Sequence, residues 1–375
     1  MTPPAGRPLG GLERVWWAAS RIHPPFAIQI VMQTGTLPAQ RWADALTTAA
    51  QAHPGMRGRL RGWLKRTRWT FDGPGPHLRR EPGPWDGQGT APFLERPLAL
   101  RAGRGLELVL VGDFAILRAH HALVDGRGLW AMAEDTLRAL DGRPLAPADG
   151  GPCDLEVVAD LAAPAFVPPP ADQPSPWGAP VRGASSGLIW ARCRLPAGPA
   201  VTPRLLAALA ATLGPVRVGV PVDLRRHRPA LRSDAHLTGV IHLDLPAGCN
   251  AEAAGAALAA ALARNEAVAH ARAADALRGV PLSLMAAAGR AAIRKSMKTG
   301  RFPVAVTLSN LGRCPLTLHG QPVPAFWVPP GNPGMPLFLA VVGDAEGLEV
   351  CALAPAALAD GGRLTGLLDR LAGVF

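Results

Sequence analysis

Residues 162–180 read AAPAFVPPPADQPSPWGAP, and no other stretch limits the folding of this chain so strongly. Proline lacks the backbone N–H that helices and sheet ladders use and locks φ, so the run can be neither helix nor central strand. It predicts a linker over residues 162–185 that crosses a surface, with one domain over 1–161 and another over 186–375. A length of 375 residues agrees, because a single hydrophobic core stops growing well below that size.

Both sides of the linker carry the same mixture of periodicities. Residues 38–53 have helical spacing and end at His53-Pro54-Gly55, which stops a helix. Residues 106–118 hold two apolar runs around Gly112-Asp113, a hairpin whose second strand leads into His120, and 126–140 then read as a helix. In the second half, 216–222 and 241–245 are strand-like and 251–272 read as one Ala-rich helix. Residues 303–308 form an apolar strand that is expected to stop at Ser309-Asn310-Leu311-Gly312, and 337–342 with 348–353 form a late strand pair before a closing helix. Alternating strands and helices predict an α/β architecture in each half.

Composition narrows the function classes. The net charge of +11 attracts polyanions in general, but the chain is rich in Arg, Ala, Gly and Pro throughout, so no nucleic-acid partner is expected. The same field suits a CoA nucleotide tail or an acidic carrier protein. The exposed-looking basic run 290–301, RAAIRKSMKTGR, is either a landing patch for such a donor or a solvated helix face. Cys153, Cys193, Cys249, Cys314 and Cys351 are scattered, odd in number and free of CxxC spacing, which argues against a disulfide framework or a zinc site and fits the cytoplasm. MTPPAGRPLG shows no secretory signal pattern, and the apolar runs at 106–117 and 251–263 fall short of the ~20 residues that span a bilayer.

The chemistry concentrates in His120-His121-Ala122-Leu123-Val124-Asp125-Gly126, at a strand-to-helix turn. Adjacent residues on an extended segment face opposite ways, so the two histidines are expected to have different jobs. An imidazole titrating near neutrality can take a proton and return it, which aminolysis or alcoholysis of a thioester requires. Asp125 lies four residues beyond His121 and can orient the turn, and Gly126 lets the backbone approach a ligand. A structural histidine, a metal-binding His-His-Asp cluster and a plain Asp-Gly turn are the competing readings of the same residues.

The run resembles the HHxxxDG signature of the CoA-dependent acyltransferase superfamily, which includes chloramphenicol acetyltransferase, peptide-synthetase condensation domains, polyketide-associated acyltransferases and wax ester synthases. Three further stretches are similar to that superfamily in the right order. They are His53-Pro54-Gly55-Met56-Arg57, Val220-Pro221-Val222-Asp223-Leu224-Arg225 and Thr307-Leu308-Ser309-Asn310-Leu311-Gly312.

The resemblance implies two chloramphenicol-acetyltransferase-like α/β subdomains forming a pseudo-dimer around a central tunnel. It implies His121 as general base with His120 supporting it, and Asp125 as a structural carboxylate paired with an arginine of the second half, for which Arg225 is the best match. Ser309, Asn310 and Gly312 are expected on a loop across the tunnel, holding the thioester or its oxyanion. No cofactor is expected, only acyl-CoA or an acyl carrier protein as co-substrate, with a small alcohol or amine as acceptor. The wording of the motifs leans toward acylation of a hydroxyl. Condensation-type amide formation, or a non-catalytic module that recruits carrier proteins, are the alternatives.

Overall fold

The computed structural model describes residues 6–180 and 187–375; the end of the expected linker, 181–185, and residues 1–5 of the N-terminal reading lie outside the described residues. Two mixed sheets dominate. The five-stranded sheet runs Ala325–Val328, Ala27–Gln33, Phe114–His120, Leu106–Val111, His77–Arg80, and the six-stranded sheet runs Thr238–Leu245, Val216–Asp223, Val306–Arg313, Phe338–Gly343, Gly347–Pro355, Leu188–Pro196.

The strand sequences explain this arrangement. Phe338–Gly343 is FLAVVG, a continuous apolar run, as befits a strand covered on both faces. Its alternate residues divide accordingly: Phe338, Ala340 and Val342 join the core shared with the five-stranded sheet, while Leu339 and Val341 join the core under the second half's helices. The six-stranded sheet is therefore the wall between two cores.

Two segments cross the division made by the proline run. The strand Ala325–Val328, from the second half, pairs antiparallel with Ala27–Gln33 and forms the edge of the first half's sheet. The helix Gly11–Ala19, from the first half, packs on the second half's helices Glu266–Asp275 and Leu282–Thr299. Gly11 makes that approach possible, since a Cβ there would stand 2.5 Å from the Asp275 nitrogen. Arg14 Nε fixes it by donating to the Leu277 carbonyl at 3.2 Å.

Much of the proline run is irregular and lies along the second half: Arg217 donates to the Pro170 carbonyl, and Gln173–Pro174 pairs with Arg301–Phe302. The helix expected over 251–272 is two helices, Ala251–Ala263 and Glu266–Asp275, because Asn265 between them takes a left-handed conformation with φ 57°. The strand expected to end before Ser309 continues as Val306–Arg313, with a bulge between Asn310 and Arg313, where Gly312 has φ 81°. Ser309 and Asn310 thus sit on a strand, not a loop. No helix among the described residues is long and apolar enough to cross a membrane.

Candidate active site

The strand Phe114–His120 is held between its neighbours Ala27–Gln33 and Leu106–Val111, and it delivers the two histidines to the sheet's end with different surroundings. His120 is buried, its Nδ1 accepting from the Ala122 N–H at 3.1 Å, and burial pushes its imidazole down to about 3. His121 is half-buried and faces a cavity with about 790 Å³ of unfilled space, part of it open to solvent. Residues of both halves line this cavity, among them Trp16, Phe26, Gly126, His236, Thr238 and Ser309.

The tautomer of His121 follows from its partner. Nδ1 lies 3.2 Å from the Val124 carbonyl oxygen, which can only accept, so Nδ1 carries the proton and Nε2 is left with a lone pair. Burial pushes this imidazole down to about 4, against the opposing pull of Asp125 and the Val124 carbonyl, so the ring is neutral at neutral pH. Trp16 and Phe26 flank it, with ring centroids 5.3 Å and 5.9 Å away.

Asp125 does not reach the His121 ring by hydrogen bond; it ties the turn to the second half. Its Oδ1 accepts the Gly128 N–H at 2.9 Å and so caps the helix Gly126–Leu140, while Oδ2 accepts from the Leu237 N–H at 2.8 Å and the Thr238 hydroxyl at 3.0 Å. Arg225 reaches the same carboxylate, Nη1 to Oδ2 at 2.9 Å, and spends its other donors on Asp223 and on the Ser233 and Ala235 carbonyls. Burial works against the charge of Asp125, but the Arg225 guanidinium and the hydrogen bonds donated to the carboxylate together outweigh it and hold the carboxyl well below the usual carboxylate range.

His53 makes a second link between the halves. Its ring lies between two buried carboxylates, Nδ1 to Asp234 at 2.7 Å and Nε2 to Asp135 at 2.9 Å. Burial opposes protonation, yet the two aspartates raise this imidazole to about 9, so it is a cation at neutral pH. The HPGMR segment therefore contributes a structural bridge.

The other expected residues divide. Gly126 and Ser309 line the cavity, and a Cβ on Gly126 would come within 3.1 Å of Leu311. Asn310 borders it, but its amide is committed: Nδ2 donates to Thr202 at 3.1 Å and Oδ1 accepts the Gly312 N–H at 2.8 Å. Gly312 is not among the lining residues, and its N–H is taken by that bond. Arg290, Arg294, Lys295 and Lys298 are exposed on the helix Leu282–Thr299 and make no ion pair among the described residues.

Sequence reasoning missed His236, which is 1% exposed and lies edge-on to His121 with ring centroids 4.8 Å apart. Burial, then repulsion from His121, holds it neutral. As an isolated histidine in DAHLTG it carries no local signal, and only the fold brings it to the cavity. Among the described residues no three His, Cys, Asp or Glu side chains gather as a metal-holding group.

No family model matches the sequence, and no curated protein does. Solved structures do. The first condensation domain of the calcium-dependent antibiotic synthetase, in complex with substrate analogue 3a, superposes with TM-score 0.66 at 16% identity over 100% of this chain and 97% of that one. The starter condensation domain of rhizomide synthetase gives 0.61 at 14% identity over 98% and 96%. The condensation domain of monacolin K polyketide synthase gives 0.61 at 15% over 99% and 96%. This chain has the condensation-domain fold.

Proposed function

We propose that the protein is an acyl-transferring enzyme that joins a thioester-bound acyl group to an acceptor, with His121 as general base. The observation that carries this is the His121 ring itself, neutral, fixed through Nδ1 and presenting an unprotonated Nε2 at a cavity lined by both halves. As the acceptor attacks the thioester carbonyl carbon, its proton passes to Nε2. The tetrahedral intermediate then collapses, the C–S bond breaks, and the proton on Nε2 goes to the departing thiolate. No enzyme nucleophile takes part in this sequence, and none of the five cysteines lines the cavity among the described residues.

The acceptor is an amine in this reading. The motif wording favours a hydroxyl, but the likeness to condensation domains supports amide formation at least as well and moves the balance. The donor is acyl-CoA or an acyl carrier protein; one structural relative, a variant of the rhizomide starter domain, was solved in complex with C8-CoA. Further hollows share walls with the central cavity, one through Phe26 and another through Arg127 and Asp223, which supports a tunnel reached from two sides.

Purified protein incubated with acyl-CoAs of graded length and with amines and alcohols, with free thiol followed over time, tests the proposal. Acceptor-dependent thiol release that vanishes in His121→Ala is the expected result. No release with any pair, alongside binding of an acyl carrier protein, would replace the enzyme with a recruiting module.

A further inference from the structure

Acyl transfer needs two things at one carbon: a base for the incoming proton, and donors for the oxygen that becomes negative. His121 is the base. The donors expected on the facing strand are largely spoken for, since the Asn310 amide and the Gly312 N–H bond each other and Thr202, leaving the Ser309 hydroxyl there. Two residues that line the cavity nonetheless carry polar atoms with no protein partner among the described residues. Both ring nitrogens of His236 and the Nε1–H of Trp16 are buried and unbonded among the described residues. A buried polar atom left without a partner loses its hydration with nothing in return, so three on two residues of one cavity wall call for a reason.

Their placement supplies one. Trp16, His121 and His236 all line the cavity, and their rings surround one point: His121 to His236 4.8 Å, Trp16 to His121 5.3 Å, Trp16 to His236 6.0 Å between centroids. The two unpaired side chains come from opposite halves, Trp16 on the helix Gly11–Ala19 and His236 just before the strand Thr238–Leu245. A neutral imidazole necessarily carries one N–H, and indole Nε1 is always a donor.

We propose that His236 and Trp16 are catalytic residues whose ring N–H groups donate to the reacting carbonyl oxygen and stabilise its oxyanion while His121 takes the acceptor's proton. This rests on the acyl-transfer reading above. It also explains why the helix Gly11–Ala19 is anchored on the far half: the anchoring holds one donor in register with the other.

Steady-state kinetics on the best acyl-CoA and acceptor pair, with folding checked by circular dichroism and thermal melting, provides the test. His236→Phe is expected to lower kcat about a hundredfold with KM within about threefold, because the lost bond forms only in the transition state. Trp16→Phe, which keeps an aromatic ring and deletes the N–H, is expected to lower kcat about tenfold. His236→Gln, which restores a donor, recovers most of the loss.

A folded His236→Phe with kcat within about twofold of wild type overturns the proposal, as does a rise in KM at unchanged kcat, which would put His236 in ground-state binding. Should His236→Phe not fold, unchanged kcat in Trp16→Phe overturns it equally. If the wild-type protein consumes no thioester, the acyl-transfer reading fails and takes this one with it; active wild type with indifferent variants sinks only this one.

Discussion

Arg225 crosses from the second half of the chain to grip Asp125 of the first, 2.9 Å from Nη1 to Oδ2, directly behind the turn that holds His121. Asp125 is buried and accepts from four residues, Gly128, Leu237, Thr238 and Arg225, so the pair fixes where the His121 ring stands relative to the facing half.

Removing one member of that pair should unfold more than it inactivates. Arg225→Ala leaves a buried carboxylate without its charge partner and is expected to cost about 3–5 kcal/mol, read as a shift in the urea midpoint. Arg225→Lys keeps the charge but not the fork and should lie between the two. A midpoint unchanged in Arg225→Ala would show that the pair is not a structural tie.

His53 gives stability a high-pH edge. Its folded value of about 9 lies above the unfolded value of 6.5, so its contribution is complete below 6.5 and is lost as pH rises through 9. The unfolding free-energy difference between wild type and His53→Gln should therefore be on the order of 3 kcal/mol at the low end and shrink toward pH 10. A difference independent of pH would mean that the ring is not a cation in the folded state.

The two motif histidines set the acid edge. Burial lowers His120 to about 3 and His121 to about 4, so below pH 6.5 the unfolded chain binds protons that the folded chain refuses and stability falls. In the same frame kcat/KM, referred to the unprotonated form of the acceptor, should be flat through neutrality and decline only as pH nears 4, where Nε2 of the free protein becomes protonated. Loss of activity centred near 6.5, with the fold intact, would contradict the neutral, desolvated base.

Two glycines of the turn should respond differently to a methyl group. A Cβ at Gly128 would sit 2.6 Å from Val124 Cγ2 and 3.3 Å from the Asp234 carbonyl oxygen, in a buried corner. Gly128→Ala is expected to cost about 1–3 kcal/mol in thermal or urea unfolding. At Gly126 the nearest atom is the mobile end of Leu311, at 3.1 Å, so Gly126→Ala should change stability by less than about 1 kcal/mol. Equal costs at the two positions would count against this account of the turn.

Most of the secondary structure was legible because it rests on local patterns. The hairpin of 106–118, the helix Gly126–Leu140 and the late strand pair follow from runs, turn residues and periodicity. The misreadings were local as well. Asn265 breaks a helix by adopting a left-handed conformation that an Ala-rich window does not announce, and pairing with Phe338–Gly343 carries a strand on through Ser309 and Asn310 despite their turn propensity.

That a pair of histidines stands where a strand gives way to a helix is encoded locally, in the strand period and turn residues of HHALVDG and its neighbours. What surrounds the His121 ring was settled by long-range packing. His236, Trp16 and Arg225 lie 115, 105 and 104 positions from His121 along the chain, and their approach depends on strand and helix exchange between the halves, a cooperative outcome of packing that no local pattern contains.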